Sequence, residues 1–255
     1  MQKHRLSVTL AALLLTAYAV QSQAGLTFTD KTTFLSNLPG PAGVLNFDSL
    51  AGGTILSSTT QTVTGGPGTG ISFPASVTDW QNLTHQLQVV ANVSNNNPTT
   101  SNPNSLGAND PGNFNTIVGG TVITLGLTSP VNAFGLSFIT PDQMFDDDIR
   151  LVAGGDTVSL AATVRTLVGN FGGFDYYAYF LGVVENTGFS SASIQYGPNV
   201  SGGPFLYNAD DITVAAAPTG IPAPGTLVLL LGGIPALLLR RGRRVCRATP
   251  DFVIP

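Results

Sequence analysis

Two copies of the tripeptide Asp-Asp-Ile carry the sharpest chemical signal in the sequence. Asp147-Asp148-Ile149 and Asp210-Asp211-Ile212 each stand before an apolar run that is typical of a strand. Because side chains alternate along a strand, the first Asp of each pair is expected on the side of the following Ile, toward the core. A carboxylate at the edge of a core needs a compensating partner, since burying it unpaired is costly.

A hard cation would compensate several such carboxylates at once. Ca²⁺ binds carboxylates, backbone carbonyls and Asn side chains, so the sequence predicts a structural calcium site with Asp147 and Asp210 as core-facing ligands. The alternative is that all four aspartates are solvated turn residues, a setting in which Asp is common. Three acids near the first copy are interpreted as loop charge rather than ligands: Asp142, Asp146 and Asp148.

Other chemistry finds little support in the sequence. Nucleophilic hydrolysis by a Ser–His pair needs a histidine, and between the two ends of the chain there is only His85, expected as a surface strand residue. The sequence contains no Gly-x-Ser-x-Gly elbow and no zinc-ligand spacing. A two-carboxylate glycosidase is the remaining enzymatic alternative, although Glu185 is the only Glu. We therefore predict that the protein is not an enzyme.

Aromatic side chains offer a second kind of site, one for sugar rings. Trp80 and three tyrosines near the middle of the chain could form a stacking platform: Tyr176, Tyr177 and Tyr179. The alternative is that the tyrosines are core residues, because the run from Tyr176 to Val184 is apolar on both faces and predicts a central strand.

The elements that must position these residues are predicted to be strands. Short runs alternate with a period of two between Gly, Thr, Ser and Asn clusters. Three sets of residues are each expected to share one face: Ile123, Leu125 and Leu127; Phe134, Leu136 and Phe138; and Val158, Leu160, Ala162 and Val164. We predict an all-β fold, a single jelly-roll-like β-sandwich flanked by an N-terminal signal helix and a C-terminal hydrophobic helix.

Three local features punctuate this pattern. Ala153 to Asp156 predicts a hairpin turn, since Gly154-Gly155 separates two strand-like runs. One short helix is expected over Lys31–Asn37, capped by Asp30 or Thr29. The Asn- and Pro-rich stretch Asn95–Asn115 predicts a long surface loop and a weak candidate binding site.

The N-terminus has the order of features found in a secretory signal peptide. Lys3 and Arg5 provide a positive region, and an apolar run follows from Leu6 to Val20. Small residues then end the segment, which predicts cleavage by signal peptidase between Ala24 and Gly25.

The C-terminus has features of a membrane anchor. A 13-residue apolar run, Leu227–Leu239, follows a Pro- and Gly-rich segment and ends at an arginine cluster. As a helix, 13 residues cover roughly 20 Å of the roughly 30 Å hydrocarbon core, so the run predicts weak anchoring in the inner membrane. The arginines place the C-terminus inside and the body of the protein outside.

This order of Pro-x-Pro-Gly-Thr, short apolar helix and arginines resembles the PEP-CTERM sorting tail of Gram-negative bacteria, also known as an ice-binding-protein C-terminal domain. The residues that carry the resemblance are Pro222, Pro224, Gly225, Arg240, Arg241, Arg243 and Arg244. The resemblance implies processing by an exosortase-like enzyme in species that make extracellular polysaccharide. Ala223 stands where the family has an acidic residue, and a plain C-terminal anchor is the alternative.

The segment between these ends is acidic and free of thiols. Residues 25–239 contain three basic residues against thirteen acidic ones, a net charge of about −10, which argues against nucleic-acid binding. The only cysteine, Cys246, lies beyond the arginines. We divide the chain into a signal peptide (1–24), a β-sandwich domain (25–215), a linker with the sorting motif (216–225), an anchor helix with the arginine cluster (226–244) and a tail (245–255).

The end of the domain resembles the last strand of jelly-roll carbohydrate-binding modules, over Asn208 to Val214. That resemblance implies Asp210 as the first calcium ligand and Asp211 as the second. The sequence as a whole predicts an exported protein with a structural or interaction role, first anchored in the inner membrane and then at the cell surface or in the extracellular matrix. A calcium-stabilised module or adhesin that holds extracellular polysaccharide is the alternative, and a glycosidase comes third.

Overall fold

The computed structural model describes residues 25–91, 99–101, 103–141, 144–171, 173–196 and 205–217. The predicted signal helix, sorting motif, anchor helix and tail lie outside these ranges. Within the described ranges, none of the helices has the length and apolar character needed to cross a membrane.

The described residues are mostly strands, which confirms the all-β prediction. The helices are α1 (Lys31–Ser36) and a 3₁₀ helix (Pro111–Asn113). The strands are Leu26–Phe28 (β1), Ala42–Leu45 (β2), Thr60–Thr62 (β3), Thr64–Gly65 (β4), Gly70–Ser72 (β5), Val77–Thr78 (β6), Thr84–His85 (β7), Leu87–Ala91 (β8), Asn104–Ala108 (β9), Ile117–Val118 (β10), Ile123–Thr140 (β11), Ile149–Ala153 (β12), Asp156–Ser159 (β13), Thr166–Phe171 (β14), Phe174–Tyr196 (β15) and Leu206–Ala215 (β16).

A large antiparallel sheet contains 14 of these strands, of which seven follow the order β13-β12-β15-β11-β16-β2-β4 and the others pair off this path. The long strands β11 and β15 lie at its centre and pair with each other from Ile123↔Ile194 to Thr140↔Tyr177. The far edge of β15 is covered in turn by β14, β1 and β12. The prediction of a central strand over Tyr176 to Val184 is therefore confirmed.

The two central strands change partners halfway along. The register of β11 against β15 shifts between Gly126 and Val131 and again before Ala133. Before these shifts β11 pairs with β5, and after them it pairs with β16. Bulges of this kind bend a strand and increase its twist.

The core follows the alternation in the first half of β11 and departs from it in the second half. Ile123, Leu125 and Leu127 are buried and Thr124 is exposed, as predicted. From Ala133 to Thr140 every residue is buried, because this half of β11 is covered on both faces. A strand buried on both faces shows a continuous apolar run rather than alternation.

Helix α1 packs against the central strands β11 and β15. Its N-cap is Asp30, whose side chain accepts a hydrogen bond from the Thr33 N–H at 2.7 Å, and Asn37 is its C-cap, so the predicted helix is confirmed. Phe34 is fully buried, with its ring centroid 5.1 Å from that of Phe180. Burial of one Phe side chain contributes roughly 1.5–3 kcal/mol, which explains why such a short helix is stable here.

Two predictions about loops and strands are wrong in part. The predicted surface loop Asn95–Asn115 contains β9, which is buried along its whole length. Its polar residues are satisfied internally, since Asn104 Nδ2 donates to the Leu50 carbonyl at 2.7 Å. The predicted strand face from Val158 to Val164 ends early, because β13 stops at Ser159 and a turn follows in which the Val164 N–H donates to the Ala161 carbonyl. The hairpin turn at Gly154-Gly155 is confirmed.

Candidate functional site

Asp210 is the most deeply buried acidic side chain among the described residues. It lies within β16 rather than before a strand, and it is fully inaccessible to solvent. Its Oδ2 accepts hydrogen bonds from the backbone N–H groups of Thr100 and Ser101 at 2.9 and 3.0 Å. Its Oδ1 accepts one from the Asp211 N–H at 2.8 Å. Asp210 therefore ties the segment that leads into β9 to the last strand of the sheet.

Asp211 occupies a bulge next to it. Between the pairs Gly135↔Thr213 and Ser137↔Asp210, β16 contains one residue more than β11. Asp211 has a φ of 51°, a left-handed conformation that Asp adopts more readily than most residues. Its Oδ2 accepts hydrogen bonds from Lys31 Nζ at 3.0 Å and from Thr100 Oγ1 at 2.9 Å. The bulge thus brings both carboxylates of the tripeptide to the same side of the strand, facing Thr100.

The two carboxylates interact electrostatically. Burial, followed by the neighbouring charge of Asp211, raises the pKa of Asp210 to about 6, although hydrogen bonds from Ser101, Asp211 and Thr100 act in the opposite direction. Thr100 Oγ1 lies within hydrogen-bond distance of both carboxylates but has only one proton to donate. The pair is therefore a structural junction that can retain a proton at mildly acidic pH.

The surroundings of this pair bear on the calcium prediction. The groups that contact Asp210 are N–H and O–H donors, whereas a calcium site needs further oxygen acceptors around the ion. Among the residues that the structure describes, no three His, Cys, Asp or Glu side chains are grouped so that they could hold a metal ion. Asp147 is accordingly not gathered with Asp210 and Asp211, and the calcium site stays a prediction.

The first copy of the tripeptide has a different arrangement. Asp147 is half-exposed with a φ of 69°, and its Oδ1 lies 3.6 Å from Arg150 Nη2. Asp148 is the buried member, and it accepts a hydrogen bond from the Phe145 N–H at 2.6 Å. Burial raises the pKa of Asp148, although this hydrogen bond lowers it. The prediction that the first Asp of each pair faces the core is correct for Asp210 and wrong for Asp147, because a turn separates Asp147 from β12.

His85 forms a second polar cluster that the sequence did not predict. It is mostly buried rather than on the surface, with Nε2 3.2 Å from Asp79 Oδ2 and 3.9 Å from Asp110 Oδ2. Asp79 also accepts the N–H groups of Gln81 and Leu83, at 2.9 and 2.8 Å. Burial acts to raise the pKa of Asp79, but the hydrogen bonds from Leu83, His85 and Gln81 outweigh it and the pKa is lowered. His85 therefore joins the loop after β6 to the loop after β9.

Each of these two loops presents a large ring to solvent. Trp80 follows Asp79 and is 53% exposed, and Phe114 ends the 3₁₀ helix and is 70% exposed. Phe114 has a φ of 57°, a conformation that a bulky residue adopts only when its surroundings impose it. We call the two exposed rings, Trp80 and Phe114, the aromatic edge; Leu83, in the same loop as Trp80, is exposed as well.

The tyrosines do not belong to this surface. Tyr179 is 2% exposed and is part of the core, in agreement with the core alternative. Tyr177 packs against the core from its partly buried position, and the Arg165 guanidinium lies 4.0 Å from the centroid of its ring. Of the aromatic residues proposed as a sugar platform, Trp80 alone is largely exposed, because β15 is covered along most of its length.

Comparison with known protein families, with curated proteins and with solved structures finds no match for this chain. The resemblances to sorting tails and to carbohydrate-binding modules therefore remain predictions. Phe114 and Asp110 were not predicted from the sequence. The signal for them was a Pro-Gly turn inside an Asn-rich stretch, which composition alone identifies as a loop.

Proposed function

We propose that the protein is an exported, non-enzymatic component of the cell envelope or extracellular matrix of a Gram-negative bacterium. The observation that carries the proposal is the residue pattern at the two ends of the sequence: residues 1–24 have the order of features of a signal peptide, and residues 216–244 resemble a sorting motif with an anchor. The chain enters the inner membrane by its C-terminal helix, and an exosortase-like enzyme then releases it. Residues 25–215 are the part delivered.

The described domain supports this role. The buried carboxylates Asp210 and Asp79 accept hydrogen bonds from N–H groups of the domain itself. These hydrogen bonds hold loops in place rather than bind a substrate. The only cysteine is outside it, so its stability does not depend on disulfide formation after export. The partner change of β11 supports a jelly-roll-like sandwich as the finer description of the sheet.

Variants of the tail test the proposal in a Gram-negative host that has an exosortase. One variant combines Pro222→Ala with Pro224→Ala, and a second replaces Arg240, Arg241, Arg243 and Arg244 with Gln. We expect the parent chain to reach the cell surface without its C-terminal tail, and both variants to lose the signal peptide but keep the tail and remain in the inner membrane. Arg247→Gln, beyond the cluster, is the matched control. Surface delivery of both variants at the parent level would contradict the proposal.

A second candidate function, binding of extracellular polysaccharide, is favoured by the aromatic edge. Exposed Trp and Phe rings on loops that a His–Asp network holds in place provide flat apolar faces for sugar rings, beside polar groups that bind hydroxyls. We expect Trp80→Ala and Phe114→Ala to weaken retention on immobilised polysaccharide, with Leu167→Ala, another exposed apolar residue, as the control. Equal retention of all three variants would exclude this surface. Repeating the assay with Ca²⁺ and with a chelator tests the predicted metal.

A further inference from the structure

Glu185 lies opposite the first residue of the described domain. Strand β1 pairs with β15 in the register Leu26↔Val184 and Thr27↔Val183, so Gly25 continues the ladder opposite Glu185. Residues directly opposite each other in an antiparallel pair have their Cβ positions about 5 Å apart. The start of β1 is therefore held against the side chain of Glu185 by the sheet itself.

Glu185 also contacts a second acid. Asp156, at the start of β13, brings its Oδ2 against the same Cβ position of Gly25 as Glu185 Oε2, so the two carboxyl groups are close neighbours. Glu185 is less than one-tenth exposed, and burial together with the charge of Asp156 raises its pKa. Glu185 is nearly buried and Asp156 is half-buried, and two carboxyl groups this close together need a shared proton or a nearby cation.

The basic side chains of the domain do not supply that cation. Residues 25–217 contain Lys31, Arg150 and Arg165 as their only lysines and arginines. Lys31 is paired with Asp211, Arg150 lies beside Asp147, and Arg165 stacks on Tyr177. The carboxyl pair therefore has no Lys or Arg of the described domain as a partner.

The backbone of Gly25 lies directly against the two carboxyl groups. A Cβ built on Gly25 would lie 2.7 Å from Glu185 Cδ and 2.8 Å from Glu185 Oε2, and it would overlap with Asp156 Oδ2 as well. With standard bond lengths, the backbone nitrogen of Gly25 is then within roughly 5 Å of both carboxyl groups. Cleavage after Ala24 would turn this nitrogen from a neutral amide into a primary ammonium with three donors.

We propose that Glu185 and Asp156 form a docking site for the α-ammonium group of Gly25, which signal peptidase creates. This inference rests on the proposed export of the protein. Before cleavage the two acids face a neutral backbone, and after cleavage they hold the new amino terminus at the edge of β15. Removal of the signal peptide thereby stabilises the domain that it releases.

A removable N-terminal fusion allows the two states to be compared. The chain from Gly25 to Pro255 is purified in detergent behind a fusion whose protease leaves Gly25 as the first residue. Melting temperatures are measured before and after cleavage for the parent chain, for Glu185→Gln and for Asp156→Asn. Asp175→Asn, an exposed acid at the start of β15 and away from Glu185, is the matched control.

We expect cleavage to raise the melting temperature of the parent chain and of the control by about 3 °C, the shift typical of one modest interaction in a domain of this size. The gain should disappear in both acid-to-amide variants. No gain in the parent chain, or an equal gain in all four chains, would overturn the inference.

Chemical labelling gives a second measure that does not depend on unfolding. The free amino group of Gly25 should be acylated several-fold more slowly in the parent chain than in Glu185→Gln, because docking protects it, and equal rates would contradict the site. The first residue of the protein recovered from cells tests export separately. A different first residue in that protein would contradict the predicted cleavage between Ala24 and Gly25. The fusion experiment tests the docking of Gly25 independently of that prediction.

Discussion

The two copies of Asp-Asp-Ile have the same sequence and opposite arrangements. In the second copy Asp210 is fully buried inside β16 and holds Thr100 and Ser101 of a distant segment. In the first copy the leading residue, Asp147, is half-exposed beside Arg150, and Asp148 binds the backbone only three residues away. One copy is therefore a long-range clamp and the other is a local turn.

The difference comes from the backbone around each copy. Asp211 is the extra residue of a bulge, so both carboxylates of that copy face the same segment. Asp147 is in a turn before β12, where alternation does not yet apply. Residue type thus predicts that an acid needs a partner, whereas the register of the strand decides which acid is buried and what it binds.

The largest expected effect is the loss of the clamp. Asp210→Ala removes the acceptor for the N–H groups of Thr100, Ser101 and Asp211, so we expect a loss of roughly 3–4 kcal/mol in the free energy of unfolding. Asp147→Ala is the matched control and should change this free energy by less than about 0.5 kcal/mol. Urea unfolding of both variants measures the difference, and similar losses would remove the contrast between the two copies.

The same clamp should make stability depend on pH. The pKa of Asp210 is about 6 in the folded protein and near its ordinary value when unfolded, so the folded state binds the proton more tightly. Its contribution is complete below about pH 4 and is lost as the pH rises through 6, a change on the order of 3 kcal/mol. Unfolding of the parent chain and of Asp210→Asn at pH 4 to 7 measures it. A difference between the two that stays constant with pH would contradict the predicted titration.

The buried member of the first copy should have an intermediate effect. Asp148→Ala leaves the Phe145 N–H without its acceptor in a part-buried position, and we expect a loss of about 1–2 kcal/mol. Asp146→Ala provides a comparison, because Asp146 accepts the Ala162 N–H at the surface. Thermal unfolding of both variants would show a larger loss for Asp148; a larger loss for Asp146 would be inconsistent with the local turn described here.

The smallest effect is expected at the rim of the clamp. Lys31 is 40% exposed, so its ion pair with Asp211 is screened by water, and Lys31→Ala should cost less than about 1 kcal/mol. Raising the salt concentration should reduce that cost further. Denaturant unfolding at low and high salt measures both. A cost as large as that of Asp210→Ala would mean that the ion pair, rather than the hydrogen bonds to Asp210, holds the segment.

Local rules predicted the features that depend on a few neighbouring residues. Asp30 capped the predicted helix, Gly154-Gly155 formed the predicted turn, and Ile123, Leu125 and Leu127 share a buried face. Features that depend on distant partners were missed. Strand β9 is hidden in an Asn-rich stretch because its polar groups bind residues more than fifty positions away.

The candidate sites show the same limit. The sequence identified Asp210 and Trp80 as notable residues, but it did not connect Asp210 with Thr100 or His85 with Asp110. It named Asp147 as core-facing, whereas Asp148 is the buried acid. These contacts depend on which strands pair across the sheet and in which register. The composition and spacing of the sequence do not show that pairing.

The mass of the intact protein recovered from the cell surface tests the central claim most directly, because it reports both ends of the chain at once. Our account predicts a chain that begins at Gly25 and lacks the apolar run Leu227–Leu239 and the arginine cluster. A surface protein with the mass of residues 1–255, still starting at Met1, would contradict it.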